Sequence, residues 1–294
     1  MATRQELVLT GARALRRQVD RQRRWSSATL WTGVAIIGIA VVAGVFTSFL
    51  APSPPNQQNL LAAFQAPSGS HLFGTDAYGR DVFSRTLYAI HVDLIFGIVG
   101  TYVPMVIGMV LGAIAGFYRG WRDSLIMRLA DVTIALPFIV LVLAIVAIVG
   151  PGLKGVYIGI IVVSWALYAR LTRAEMLVLR EQQFMMASRA LGYSTPRILF
   201  RHALPHLIRP NLVFSMADIV LNILVLASLS FLGVGVQPPT PELGAIVADG
   251  QQYLLTAWWI TTLPGLVLVF IGVGFSLIGD GLADRFGRRL ELPR

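Results

Sequence analysis

Four long windows of this chain carry no Asp, Glu, Lys or Arg: about 29 to 51, 94 to 118, 132 to 153 and 256 to 279. A hydrocarbon core about 30 Å thick is crossed by about 20 apolar helical residues, so each window is long enough to span a bilayer. A further span is read over about 211 to 233, with Asp218 as its one charged residue. Between the third and this one lies a weaker candidate, where only Gly155 to Ala169 is free of charge. At 1.5 Å per residue that stretch falls short of the bilayer. Lys154 and Arg170 extend it if their stems reach the headgroups; a re-entrant segment is the alternative. The expectation is an all-α membrane protein with six transmembrane helices.

Composition agrees. Hydrophobic types make up 55% of the 294 residues and charged types 13%, which excludes a soluble globule and equally a disordered chain. With no Cys there is no disulfide framework, no thiolate metal site and no thiol nucleophile. Of the 24 cations only Lys154 is a lysine, and they do not gather on one polar surface as nucleic-acid binding requires. They sort by loop instead. Residues 1 to 28 hold 7, the connection after span two 3, that after span four 7 and the C-terminal tail 4, against Arg80, Arg85 and Lys154 on the other side. The positive-inside rule therefore places both ends in the cytoplasm. The first apolar stretch is too long for a removable signal peptide and is read as a retained span.

On the outer face, Pro and Gly punctuate residues 52 to 89. Within it, Gly79 to Arg85 alternate charge and apolar residues at helical spacing, predicting a short helix along the membrane surface. A packed cap and a docking surface are both consistent with this segment. On the inner face, residues 170 to 191 read as helix, Gly192 as its left-handed stop, and Ser194-Thr195-Pro196 as a hydroxyl-capped restart that Leu204-Pro205 bends or ends. Phe184, Met185, Met186, Ala187, Ala190 and Leu191 crowd beside that Gly. They suit insertion of a helix into another protein's groove, or packing against the chain's own spans.

Several chemistries are missing. No phosphate-binding loop is present, since the sole lysine sits in Gly152-Leu153-Lys154-Gly155. His202 and His206 have metal-pair spacing, but Ala203 stands where a zinc protease needs Glu and Pro205 interrupts the helix. Asp218 is read as ion-paired with a nearby Arg, and Asp280 as a solvated end. The midplane charges and inverted repeats of a secondary transporter are not found. Gly108, Gly112 and Gly116 recur every four residues, allowing close helix approach or, less simply, a pathway lining. Ser215, Asp218, Asn222, Ser228 and Ser230 give the fifth span a polar content compatible with a wet cavity.

Four stretches together resemble one family, the dipeptide and oligopeptide "C" permease subunits of ATP-binding cassette importers. They are His71 to Arg85, residues 183 to 205, Leu229 to Pro239, and Gly279-Asp280-Gly281-Leu282 as a closing turn. Three positions depart from the family pattern: Gln183 where Glu is usual, Ser188 for the second Ala, and Leu243 where many relatives carry Trp.

The resemblance implies the type I importer permease fold: cytoplasmic tails at 1 to 28 and 281 to 294, a first helix at 29 to 51, an extracytoplasmic segment at 52 to 89, and a core at 90 to 280. It implies a cytoplasmic coupling helix at about 181 to 196, with Gln183, Phe184, Met185, Met186, Ala187, Ser188, Arg189, Ala190, Leu191 and Gly192 contacting an ATPase. It further implies a homologous permease partner and two ATPase subunits that use ATP and Mg, with no cofactor on this chain and no covalent reaction catalysed by it. An external binding protein would deliver peptide near Asp76, Arg80, Asp81, Arg85, Gln237 and Glu242, at a multi-pass bacterial inner-membrane location. Nickel or a sugar is an alternative cargo within that architecture, and a stand-alone ion-coupled transporter is the alternative from another class.

Overall fold

A computed structural model describes residues 27–287, which are helical apart from turns and one isolated β-bridge, Thr75 to Asp81. The predicted tails lie mostly outside these residues. Helix α1 (Ser27–Val45) breaks at Phe46 into a single turn, α2 (Thr47–Leu50). Then come α3 (Val82–Tyr118), α4 (Gly120–Ala135), α5 (Phe138–Val149) and α6 (Leu153–Leu179). The remainder is α7 (Gln183–Ala190), α8 (Thr195–Arg197), a π segment (Ile198–Ala203), α9 (Leu204–Phe231), α10 (Leu243–Gly250) and α11 (Trp259–Gly287).

Among the described residues, five helices are long and apolar enough to cross a membrane: α1, α3, α6, the run from Thr195 to Phe231, and α11. A sixth crossing exists if α4 and α5, bent by 92° at their junction, count as one span. The third predicted span, 132 to 153, is thus not one helix. Pro137 has no N–H to continue α4 and forces the residue before it out of the helical region; Leu136 accordingly sits at φ −92°, ψ 144°.

Other boundaries also differ from expectation. The surface helix predicted at 79 to 85 is the first turn of α3, which starts at Val82 because the Asp81 carboxylate accepts from the Ser84 N–H at 2.7 Å. The helix that carries span two therefore begins at Val82, well before the charge-free window at 94, and its first turns belong to the predicted 52 to 89 segment. The fourth span is a full 27-residue helix, so a re-entrant loop is excluded there. Two of its cations are neutralised across the α4 interface: Arg173 pairs bidentately with Asp123 at 2.5 and 2.7 Å, and Arg170 with Asp131 at 2.5 Å. Leu204-Pro205 neither ends nor sharply bends the chain. Pro205 falls in the first turn of α9, where a missing N–H is harmless, and the wide π turn before it feeds α8 straight into the span. Gly279-Asp280-Gly281 is helical rather than a closing turn.

The glycines of α3 set the centre of the bundle. A Cβ on Gly108 would overlap the Trp165 carbonyl oxygen, and one on Gly112 that of Ala169. Backbone contact this close is what small residues permit between membrane helices. Around this seam, Phe96, Val142, Ile160 and Leu226 join α3, α5, α6 and α9, while Ile90, Ile223, Ile246 and Phe275 join α3, α9, α10 and α11.

Candidate functional site

The segment between α6 and α9 holds a short helix braced against three spans. The helix predicted over 170 to 191 breaks at residues 180 to 182, so α7 is separate from α6 and shorter than the expected 181 to 196. Gly192 follows at φ +75°, as its stop role requires. Ser194 stands before α8 but makes no side-chain cap.

Only Met185 and Ser188 of α7 point inward. Met185 is fully buried among Ala113 of α3, Met176 of α6, and Ile198, Ala203 and Leu207. Around it, Arg180 donates to the Gly116 and Phe117 carbonyls at 3.4 and 3.0 Å, closing the free C-terminal end of α3. The Arg189 guanidinium lies 4.9 Å over the Phe117 ring, and Phe184 stacks on His206 of α9 at 5.3 Å. His202 stacks instead on Tyr193. The other face of α7 is open: Gln183, Phe184, Met186, Ala187, Arg189, Ala190, Leu191 and Gly192 are all exposed. The apolar cluster thus divides: Met185 serves the bundle, Phe184 leans on His206 with part of its ring open, and Met186 and Leu191 face outward.

The polar residues of the fifth span are mostly interior. The Asp218 carboxylate accepts from the Tyr168 hydroxyl at 2.8 Å and the Asn222 amide at 3.2 Å. This contact replaces the expected Arg partner. Asn222 also donates to the Thr101 hydroxyl at 2.8 Å, so the network links α3, α6 and α9. One layer nearer α7, Asn211 and Thr172 exchange hydrogen bonds at 3.0 and 3.1 Å. Ser215 is buried and donates to the Leu212 carbonyl; Ser230 is buried and accepts from the Val236 N–H. Ser228 alone of the five is exposed. Tyr168, Thr101 and Asn211 escape a reading based on charge, because neutral residues inside apolar windows carry no signal until the fold pairs them.

At the opposite end of α3, the residues proposed for external contact build a cap. Asp76 accepts from the Tyr78 and Arg80 N–H groups and from Arg80 Nε at 2.6 Å. Asp81 accepts at the start of α3 and meets the His71 ring at 2.9 Å, while Arg85 reaches Pro55 and Asn56. Gly79, at φ +67°, has the Asn59 carbonyl where a side chain would sit. Glu242 is buried and caps α10 through the Gly244 and Ala245 N–H groups at 2.8 and 2.7 Å. Burial pushes its carboxyl up from the usual range, against those two donors. Asp76, Asp81, Arg85 and Glu242 are therefore turned inward, Arg80 is nearly covered, and Gln237 is exposed.

The model of the binding-protein-dependent transport system inner membrane component family matches residues 108–292. The chain belongs to that family. As a permease component it is 38% identical over 259 residues to the dipeptide transport system permease protein DppC of Alkalihalophilus pseudofirmus, covering 88% of this chain and 85% of that one. It is 40% identical over 227 residues to the glutathione transport system permease protein GsiD of Pectobacterium atrosepticum, covering 77% and 75%. The di/tripeptide permease DppC of Pseudomonas aeruginosa is 37% identical over 265 residues, covering 88% of each. Among solved structures, an inward-facing form of the MetNI methionine transporter matches with a TM-score of 0.53 at 19% identity, over 71% of the permease and 97% of that chain. The permease thus has the all-helical fold of an importer membrane subunit and is a multi-pass inner-membrane component.

Proposed function

We propose that this permease forms half of the translocation pore of an ATP-driven, binding-protein-dependent importer of di- and oligopeptides. A homologous permease supplies the other half. Two cytoplasmic ATPase subunits bind and hydrolyse ATP with Mg, an external binding protein delivers cargo, and both ends of the chain lie in the cytoplasm. Peptide cargo is supported by relatives named for dipeptides, di/tripeptides and glutathione.

The observation that carries this reading is the two-faced α7. Its outward Met186 and Leu191, with the open part of the Phe184 ring, are a helix-in-groove pattern for an ATPase cleft. Its inward Met185, with Arg180, Arg189 and Phe184, ties it to the ends of α3, α6 and α9 at once. A thrust on α7 therefore reaches three spans together, tilting them between inward-open and outward-open forms. The interior placement of Asp218, Asn222, Ser215 and Ser230 suits holding those spans in register during tilting, leaving Ser228 as the candidate that touches cargo. External delivery would use exposed cap groups such as Gln237 over a frame held rigid by Asp76, Arg80, Asp81, Arg85 and Glu242.

Affinity purification of the tagged permease from its native membrane tests the reading. Two ATPase chains and a second permease co-purify if it is right, and Met186→Asp on the open face of α7 depletes the ATPases alone. A permease that purifies without ATPases under conditions that keep the second permease overturns it.

A further inference from the structure

The cap carries an apolar feature to which the readings of coupling and cargo delivery above assign no role. Leu60 and Leu61 form a 3-10 turn and are 70% and 98% exposed; Leu254 and Leu255 follow a second 3-10 turn, Gln251–Tyr253, and are 45% and 101% exposed. The two turns are stapled together. The rings of Phe64 and Tyr253 meet edge to face at 4.8 Å, and the strand of chain beyond Phe64 is held to α11 by a hydrogen bond from Trp259 Nε1 to the Thr75 carbonyl at 3.2 Å. Leu60, Leu61 and Leu255 thus stand open at one corner of the molecule, with the half-covered Leu254 beside them.

Their depth follows from α11. Its charge-free part runs from Trp259 to Gly279, which at 1.5 Å per residue is about 31 Å long. That matches the hydrocarbon thickness of about 30 Å, so Trp259 sits at the boundary and Leu255, four residues earlier, lies within the interfacial layer. Tyr253 and Trp258 flank the leucines, the aromatic types that favour this depth. No Asp, Glu, Lys or Arg occurs between Ala51 and Thr75 or between Gly250 and Gly279, so no full charge in either turn opposes entry of the leucines into lipid, and the exposed Gln251 and Gln252 of the second turn are uncharged groups suited to headgroup level. A soluble partner that comes and goes would leave these side chains in water during every free interval, whereas a leaflet covers them throughout.

We propose that Leu60, Leu61, Leu254 and Leu255 form a membrane wedge that inserts into the acyl-chain edge of the leaflet opposite α7. The wedge anchors the cap at a fixed depth while the spans tilt, and its partner is phospholipid.

The absence of Cys makes the test direct. Leu61→Cys and Leu255→Cys are labelled with a nitroxide in the complete transporter reconstituted in phospholipid vesicles. Collision with oxygen, which concentrates in lipid, is compared with collision with a water-soluble nickel chelate. Val269→Cys, on the exposed apolar face of α11, and Ser70→Cys, on the exposed polar part of the cap, are the lipid and water references. The wedge predicts that both leucine positions favour oxygen, with the sign found at Val269. A nickel preference like that of Ser70 overturns it, and so does protection from both colliders, which would mean that protein covers the leucines. Because the probes sit on the cap, failure here leaves the role of α7 untouched.

Discussion

Met185→Ala should detach α7 from the bundle without unfolding the bundle. Met185 is the one large apolar side chain of α7 that is fully buried, and its surroundings come from α3, α6 and the start of the fifth span. Truncating a buried methionine to alanine costs about 2–5 kcal/mol, the sum of lost transfer energy and the cavity left behind. An eight-residue helix has almost no stability of its own, because isolated helices shorter than about 12 residues are marginal in water. The seating of α7 therefore depends on this side chain, and the loss falls on the docked state of α7. Even the low end, about 2 kcal/mol, corresponds to a roughly thirtyfold increase in opening. Hydrogen exchange of the amides from 183 to 192 in the assembled transporter should rise by that factor or more, while α3 and α6 exchange as before. ATP hydrolysis should continue and cargo uptake should fall, since thrust no longer reaches the spans. Met185→Leu conserves volume, costs less than about 1.5 kcal/mol, and should retain uptake. Unchanged exchange and fully coupled uptake in Met185→Ala would refute the bracing role.

Gly108→Ala and Gly112→Ala should each lower the unfolding temperature, because the added carbon meets the α6 backbone; overpacking of this kind costs about 1–3 kcal/mol. Gly100→Ala, where the nearest atoms are 3.7 Å away, should be neutral or stabilising, and equal effects at all three positions would contradict the seam. Tyr168→Phe leaves the Asp218 carboxylate without its shortest hydrogen bond, a loss of about 1–3 kcal/mol; thermal unfolding reads it, and an unchanged midpoint would remove the network from the account. Glu242 gives a pH dependence. Burial raises its carboxyl from the ordinary range in the folded chain, beside the buried Asp93 carboxyl, so between the ordinary and the raised value the folded state keeps protons at this shared site that the unfolded state has released. Stability then falls as pH climbs from the ordinary carboxylate range to the raised value. Unfolding midpoints across that range should slope less in Glu242→Gln, and identical slopes would count against a buried, proton-holding Glu242.

The apolar windows were legible because the bilayer constraint acts on composition: charge is expelled over a length that the hydrocarbon fixes. The places where this reading failed have separate causes. Arg170 and Arg173 look like the end of a span, yet α6 continues through them because Asp131 and Asp123, some 39 and 50 positions away in the chain, neutralise them. Span two looked shorter than α3 because Arg85 and Asp93 lie within its buried first turns, where the cap supplies partners to Arg85 from another segment. Pro137 carries the signal for the break between α4 and α5 and could have been used. Pro205 has the same chemistry but does no harm in a first turn, so the residue alone does not decide. For the candidate site, the Gly192 stop and the apolar cluster marked α7 in advance. Which of its residues faces inward depended on the break at 180 to 182, and nothing in a run of strong helix formers announces it. Asp218 stood out by charge, whereas its partner Tyr168 is set by the crossing of α6 and α9.

The account rests on work being supplied from outside this chain, and uptake in vesicles measures that most directly. Permease pairs are reconstituted with or without their ATPases, binding protein is added outside, and a labelled dipeptide is followed as ATP is supplied. The account predicts accumulation against a gradient only with ATPases and ATP together, and none from the permeases alone. Uphill accumulation by permeases free of ATPases would contradict it.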